Sequence, residues 1–232
     1  MMRALSLTQP WASLMASDAK RYETRDWRTR ERGWIAIAAS KGFPPEERSL
    51  CLTEPFRDAI LEAGYSKIAP SLGGSTGRTS PPYLPLGAVV CLVKLVDCIA
   101  TAAEGAERRL TRRPAVDPAP NEQAFGNYSP GRHVFITRGV LRLPSPVPVE
   151  RVEGSVLRAG GALGFYTLSP RCEEAILEQL GCSWATCPRC RRGAPDFDGF
   201  GVVRCSKDDG GCGYCKHPAR TGGRCDICGA LS

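Results

Sequence analysis

Residues 5–41 read LSLTQPWASLMASDAKRYETRDWRTRERGWIAIAASK, and this stretch decides the fold class. Its first residues continue a short strand candidate over residues 4–7. Residues 10–17 follow as a short helix, with Pro10 in the first turn, where a missing N–H costs nothing. Gly33 then opens GWIAIAA, an uninterrupted apolar run over residues 33–39 that reads as a buried strand. Between helix and strand lies a dense mixture of chemistry: Lys20, Glu23, Arg25, Trp27, Arg28, Arg30 and Arg32, with Ser40 and Lys41 closing the second strand. Together these residues supply cations for phosphate, a carboxylate that can accept from a base or ribose, and aromatic faces. Trp11 and Trp27 are expected in the core.

Working outward, residues 45–64 contain helical pieces interrupted at Pro55 and stopped at Gly64. Residues 69–86 are rich in Gly, Ser and Pro and read as a surface loop. AVVCLVKLVDCI, residues 88–99, is the strongest strand of the chain: long, continuous and β-branched. Residues 101–130 are polar, with a basic run at Arg108, Arg109, Arg112 and Arg113. Residues 133–137, 140–143 and 163–168 are further strands. LPSPVPV, residues 143–149, is expected to be extended without joining a ladder, because proline lacks the donor. Residues 169–180 form a marked helix, with Ser169 as N-cap, Pro170 at the first position, Glu173 and Glu174 in the first turn and Gly181 as terminator. Short strands with long irregular connections predict an α+β fold built on a small mixed barrel with flanking helices, not a doubly wound sheet. Residues 1–181 form this domain and residues 182–232 a second, small one.

With 232 residues and a 42% hydrophobic fraction, the chain can bury a core of ordinary size. No window reaches the roughly 18–20 apolar residues a membrane helix needs, and Gln9 and Pro10 interrupt any signal-peptide run near the N-terminus. A soluble, cytoplasmic protein with no membrane partner is expected. The formal charge of +7 permits phosphate binding without requiring it.

Of twelve cysteines, seven crowd into the last 46 residues: Cys187, Cys190, Cys205, Cys212, Cys215, Cys225 and Cys228. Without a secretory signal this crowding predicts metal rather than disulfides. CPRC, CGYC and CDIC each hold two thiolates that can face one ion, and Zn²⁺ takes four such ligands in a tetrahedron. With Cys205 and His217 they make eight candidate ligands, enough for two ions, in a zinc-ribbon-like arrangement whose pairing stays open. With every position filled by protein, the zinc would be structural. Few apolar residues accompany the ligands, so the module is expected to unfold without metal. It is also basic, and it offers a surface to a protein partner.

The opening stretch resembles the ASCH family of the PUA-like superfamily. The resemblance rests on Gln9-Pro10-Trp11-Ala12, on Lys20, Glu23, Arg25 and Trp27 at their spacing, and on Gly33 before a strand ending Ala38-Ala39-Ser40-Lys41. Phe125-Gly126-Asn127-Tyr128-Ser129-Pro130-Gly131-Arg132 and the LPSPVPV segment resemble later landmarks, so the likeness covers residues 3 to 150. It implies a small β-barrel with a cleft that receives RNA, DNA or a nucleotide, lined by Lys20, Glu23, Arg25, Ser40, Lys41, Tyr128 and Arg132. A nucleic-acid-binding protein, RNA-directed and regulatory, is the leading expectation. One alternative is a hydrolase of modified cytidine or of RNA, with Lys20 and Glu23 as candidate catalytic residues. Family members with amidohydrolase activity carry a Thr where this chain has Glu23, and the one-residue shift to Thr24 would turn that hydroxyl to the other face of a strand. The other alternative is an adaptor that works through its zinc module.

Overall fold

A computed structural model describes residues 1–66, 83–101, 122–155 and 164–180, together with the backbone of residues 120–121, 158–159, 162–163, 195–197, 203–205, 220–221 and 224–225. The elements run β1 (Arg3–Leu7), α1 (Trp11–Ala16), β2 (Tyr22–Arg25), β3 (Gly33–Ala39), α2 (Pro45–Leu50), α3 (Phe56–Glu62), β4 (Ala88–Ala100), α4 (Pro120–Ala124) and β5 (His133–Pro148). Then come β6 (Arg158–Ala159), β7 (Ala162–Leu163), β8 (Tyr166–Thr167) and α5 (Pro170–Gln179). The C-terminal region contributes β9 (Pro195–Phe197), β10 (Val203–Cys205), β11 (Arg220–Thr221) and β12 (Arg224–Cys225). The result is a mixed fold with one six-stranded sheet, in the order β2-β5-β4-β3-β1-β8.

β1 and β3 pair in parallel, with α1 and β2 in the connection between them, and the other neighbours in the sheet are antiparallel. The unbroken apolar run of β3 has a direct cause: both of its faces are covered. Ala36 and Ala38 pack with Leu92, Ile176 and Leu177 under α5, whereas Ile35, Ile37 and Ala39 pack with Ala12, Met15 and Phe135 under α1. A third apolar cluster joins Leu14 of α1 to Phe56 and Ile60 of α3 and to Phe125 after α4. α5 begins as its sequence dictates, the Ser169 hydroxyl accepting from the Cys172 N–H at 3.1 Å.

Three expectations need correction. Residues 133–137 and 140–143 are one strand, not two. β4 is thirteen residues long and offers a partner along its whole length, and Gly139, at φ +68°, takes up the extra residue of a bulge opposite Val93 and Lys94. The proline-rich stretch does rejoin a ladder: pairing passes from Cys91–Arg142 to Val89–Val147 and Ala88–Pro148, so the skipped positions contain Pro144 and Pro146. The strand expected over residues 163–168 divides between the ends of β7 and β8, with a separate bridge from Leu168 to Arg151.

Among the described residues no ladder joins the edge strands β2 and β8. Side chains bring the two sides of the sheet together instead. Arg25 of β2 donates through Nη2 to the Ser6 carbonyl of β1 at 2.8 Å. Trp27 packs edge-on against Phe135 of β5 and Phe165 beside β8, with centroids 5.0 and 5.7 Å away. Among the described residues these side-chain contacts, not a hydrogen-bonded ladder, link the two ends of the sheet order.

Cys187, Cys190, Cys212, Cys215, His217 and Cys228 lie outside the described residues, as does the basic run at 108–113. Cys205 and Cys225 fall within the short antiparallel ladders β9–β10 and β11–β12, of which only backbone pairing is described. Among the described residues no group of three or more His, Cys, Asp and Glu is placed to hold a metal, and no helix is long and apolar enough to cross a membrane.

Candidate functional site

The free edge of β2 faces the C-terminal ends of the parallel strands β1 and β3. Between them opens a cleft of about 530 Å³, within the range of small-ligand sites. Ser6, Leu7 and Thr8 form one side, Glu23, Thr24 and Arg25 the other, with Ser40 at the end of β3. Trp11, Leu50 and Phe56 supply an apolar wall, and residues 124–127 the remaining rim.

A charged cluster sits along the β2 wall. The Glu23 carboxylate lies between two cations, Lys20 Nζ at 3.3 Å from one oxygen and Arg25 Nε at 3.0 Å from the other. Lys20 is 1% exposed, and its ammonium also donates to the Tyr22 carbonyl. Burial strengthens each contact because little water competes. The cluster carries one net positive charge, and Glu23 and Arg25 are the members that reach the cleft surface.

Gln9 shows why this geometry is stable. It is fully buried, donates from Nε2 to the Pro85 carbonyl at 2.7 Å and accepts from the Ser13 N–H at 3.2 Å. One side chain thus caps α1 and ties it to the segment before β4, placing Trp11 against Phe56 with centroids 6.0 Å apart. Trp27 is core as expected, but half-buried Trp11 lines the cleft.

The stretch 125–132 divides in two. Phe125, Gly126 and Asn127 line the cleft. Tyr128 and Arg132 are not among the lining residues; they brace its wall. Arg132 Nη2 donates to the Thr24 carbonyl at 3.1 Å, and the Tyr128 hydroxyl to the Glu122 carbonyl at 3.2 Å. Gly126 permits this bracing, since a Cβ there would meet the Tyr128 ring at 2.8 Å. Burial, then the charges of Glu122 and Glu23, push the Tyr128 pKa far up, so its phenol stays protonated. Behind the wall, buried Glu122 accepts from the Arg21 N–H. Burial raises its pKa, opposed by that hydrogen bond and by the charge of Lys20.

Of the residues expected in the cleft, the fold brings Glu23, Arg25 and Ser40 to its surface. Lys20 lies one layer behind Glu23. Lys41 is exposed outside the lining and runs beside Gly87, whose Cβ would lie 3.1 Å from its Cγ. Sequence reasoning missed Thr8, Thr24 and Asn127 as lining residues. Alternation made a catalytic hydroxyl at Thr24 doubtful, yet Glu23, Thr24 and Arg25 all border the cleft.

No protein-family model matches the chain. Over 97 residues the chain is 49% identical to Activating signal cointegrator 1 of Homo sapiens, a stretch that covers 41% of this chain and 14% of that protein. The chain therefore spans well under two thirds of the length of this relative.

Proposed function

We propose that the protein is an ASCH-like, PUA-like nucleic-acid-binding protein whose ligand is RNA, held in the cleft between β1 and β2, and that it acts as a regulator. The observation that carries this reading is the placement of Glu23 and Arg25 on the cleft wall, opposite Trp11 and Phe56. Arg25 suits a phosphate or sugar, Glu23 a base edge, and the apolar wall the face of a base. The 97-residue likeness to Activating signal cointegrator 1 supports it. In the same reading residues 182–232 form a structural zinc module, held by the seven clustered cysteines and His217, which adds basic surface and a face for a protein partner.

A second reading follows from the buried contact between Lys20 and Glu23. A lysine and a carboxylate 3.3 Å apart can pass a proton, as a nucleotide-directed hydrolase requires.

The test is binding of the full chain to labelled single-stranded RNA, duplex RNA and DNA at two salt concentrations, beside Arg25→Ala. Salt-sensitive binding lost in the variant supports the cleft reading. Binding that survives unchanged moves the contact elsewhere on the chain. Absence of binding to every polymer sinks the proposal and turns attention to hydrolysis of modified nucleosides, assayed with Glu23→Gln as the control.

A further inference from the structure

Thr24 is 8% exposed and borders the cleft. Its hydroxyl oxygen accepts the Asn127 N–H at 3.0 Å. A threonine hydroxyl has one proton to give and two lone pairs to receive with. With the backbone of Asn127 on a lone pair, and no acceptor for its proton among the described residues, the hydroxyl is left as a donor. Arg132 holds the same residue by its carbonyl, so both side chain and backbone of Thr24 are fixed before any ligand arrives. Next to it, the Glu23 carboxylate can only accept. The wall of the cleft therefore presents a donor and an acceptor side by side.

We infer that Thr24, oriented by the Asn127 N–H, is a specificity-determining residue that donates to a ring nitrogen or carbonyl of one unpaired base while Glu23 accepts from the neighbouring N–H. This inference rests on the nucleic-acid reading above and sharpens it. Every base carries an acceptor beside a donor on its Watson–Crick edge. The arrangement therefore selects for a base whose edge is free, more than for one base over another. In a duplex that edge is occupied. The ligand class is single-stranded RNA with one base turned into the cleft against Trp11, the mode by which most sequence-reading RNA contacts are made.

The experiment titrates the full chain with a labelled ten-nucleotide uridine strand, with the same strand built from N3-methyluridine, and with a blunt, fully paired RNA duplex. Thr24→Val keeps the shape and removes the donor, and Thr24→Ser restores it. The expected result is a loss of about five- to tenfold for Thr24→Val, the scale of one hydrogen bond, recovered in Thr24→Ser, with duplex binding weak and indifferent to either variant. Should Thr24→Val fail to fold, judged by its melting curve, Thr24→Ala takes its place; the methylated strand tests the Glu23 half of the contact with the wild-type protein, and its binding is expected to fall at least tenfold. Equal affinity for methylated and plain strands, equal affinity for the duplex, or a folded Thr24→Val that binds as wild type would overturn the inference. If Arg25→Ala still abolishes binding in that case, the cleft remains the nucleic-acid site and only the role of Thr24 falls.

Discussion

The six-stranded sheet region and the cysteine-rich C-terminal region differ in what their sequences offer for stability. Around the sheet, two apolar clusters pack on its two faces and a third joins α1 to α3, and β3 is covered on both faces. In the C-terminal region the described backbone pairs in two ladders of three and two residue pairs, within a sequence poor in large apolar side chains and rich in cysteine. Burial of apolar surface scales with area and needs many residues to accumulate. Thiolate coordination concentrates its free energy in four side chains per ion. Under the proposed zinc reading the two regions respond to different insults.

The sharpest way to break the comparison is to remove metal. Under the proposed zinc reading, a strong chelator abolishes the folding of residues 182–232, because structural zinc supplies roughly 10–16 kcal/mol in comparable peptides. Elemental analysis should find one or two zinc ions per chain beforehand, and the thermal transition of the domain should persist afterwards. A tail whose circular dichroism is unchanged by chelation would remove the contrast.

Phe135→Ala strikes the other unit. Phe135 is 1% exposed, stacks on Phe165 with centroids 6.2 Å apart and meets Trp27 edge-on. Its truncation should cost the domain about 3–5 kcal/mol in denaturant unfolding without altering zinc content. Ser169→Ala, at the N-cap of α5, should cost about 1 kcal/mol in the same measurement.

The smallest effect is on pH dependence. Burial raises the pKa of Glu122 above its ordinary value of 4.5, so the folded form holds this proton more tightly than the unfolded chain. Its contribution to stability is then present below 4.5 and is lost as pH rises through the higher folded value. Glu122→Gln keeps an acceptor for the Arg21 N–H and should flatten that part of the stability profile. A profile identical to wild type would show that Lys20 offsets the burial of this carboxylate completely.

How much of this was legible depended on whether the signal was local. The α5 cap, the limits of β3 and the break at Pro55 followed from residues a turn apart. β5 was less legible, since a glycine bulge and two prolines look like endings until a thirteen-residue partner strand is present to pair with. In the site, Glu23 and Arg25 stood out by charge. Trp11 was expected in the core, since an indole gives no sign in sequence of which surface it borders. A catalytic Thr24 was doubtful because alternation turns it away from Glu23, and nothing local shows that the backbone of Asn127 meets its hydroxyl at the cleft border.

The sequence by itself determined the mixed α and β character, the buried strands, the capped final helix and the cysteine spacing, because each is written in periodicity, turn chemistry or ligand intervals within a few residues. Only the tertiary structure decided that Lys20 lies beneath Glu23, that Tyr128 and Arg132 brace a wall they do not line, and that the Thr24 hydroxyl, at the border of the cleft, accepts the Asn127 N–H. Those facts depend on where an edge strand faces and on which backbone groups residues a hundred positions away bring to it, and no local pattern encodes that meeting.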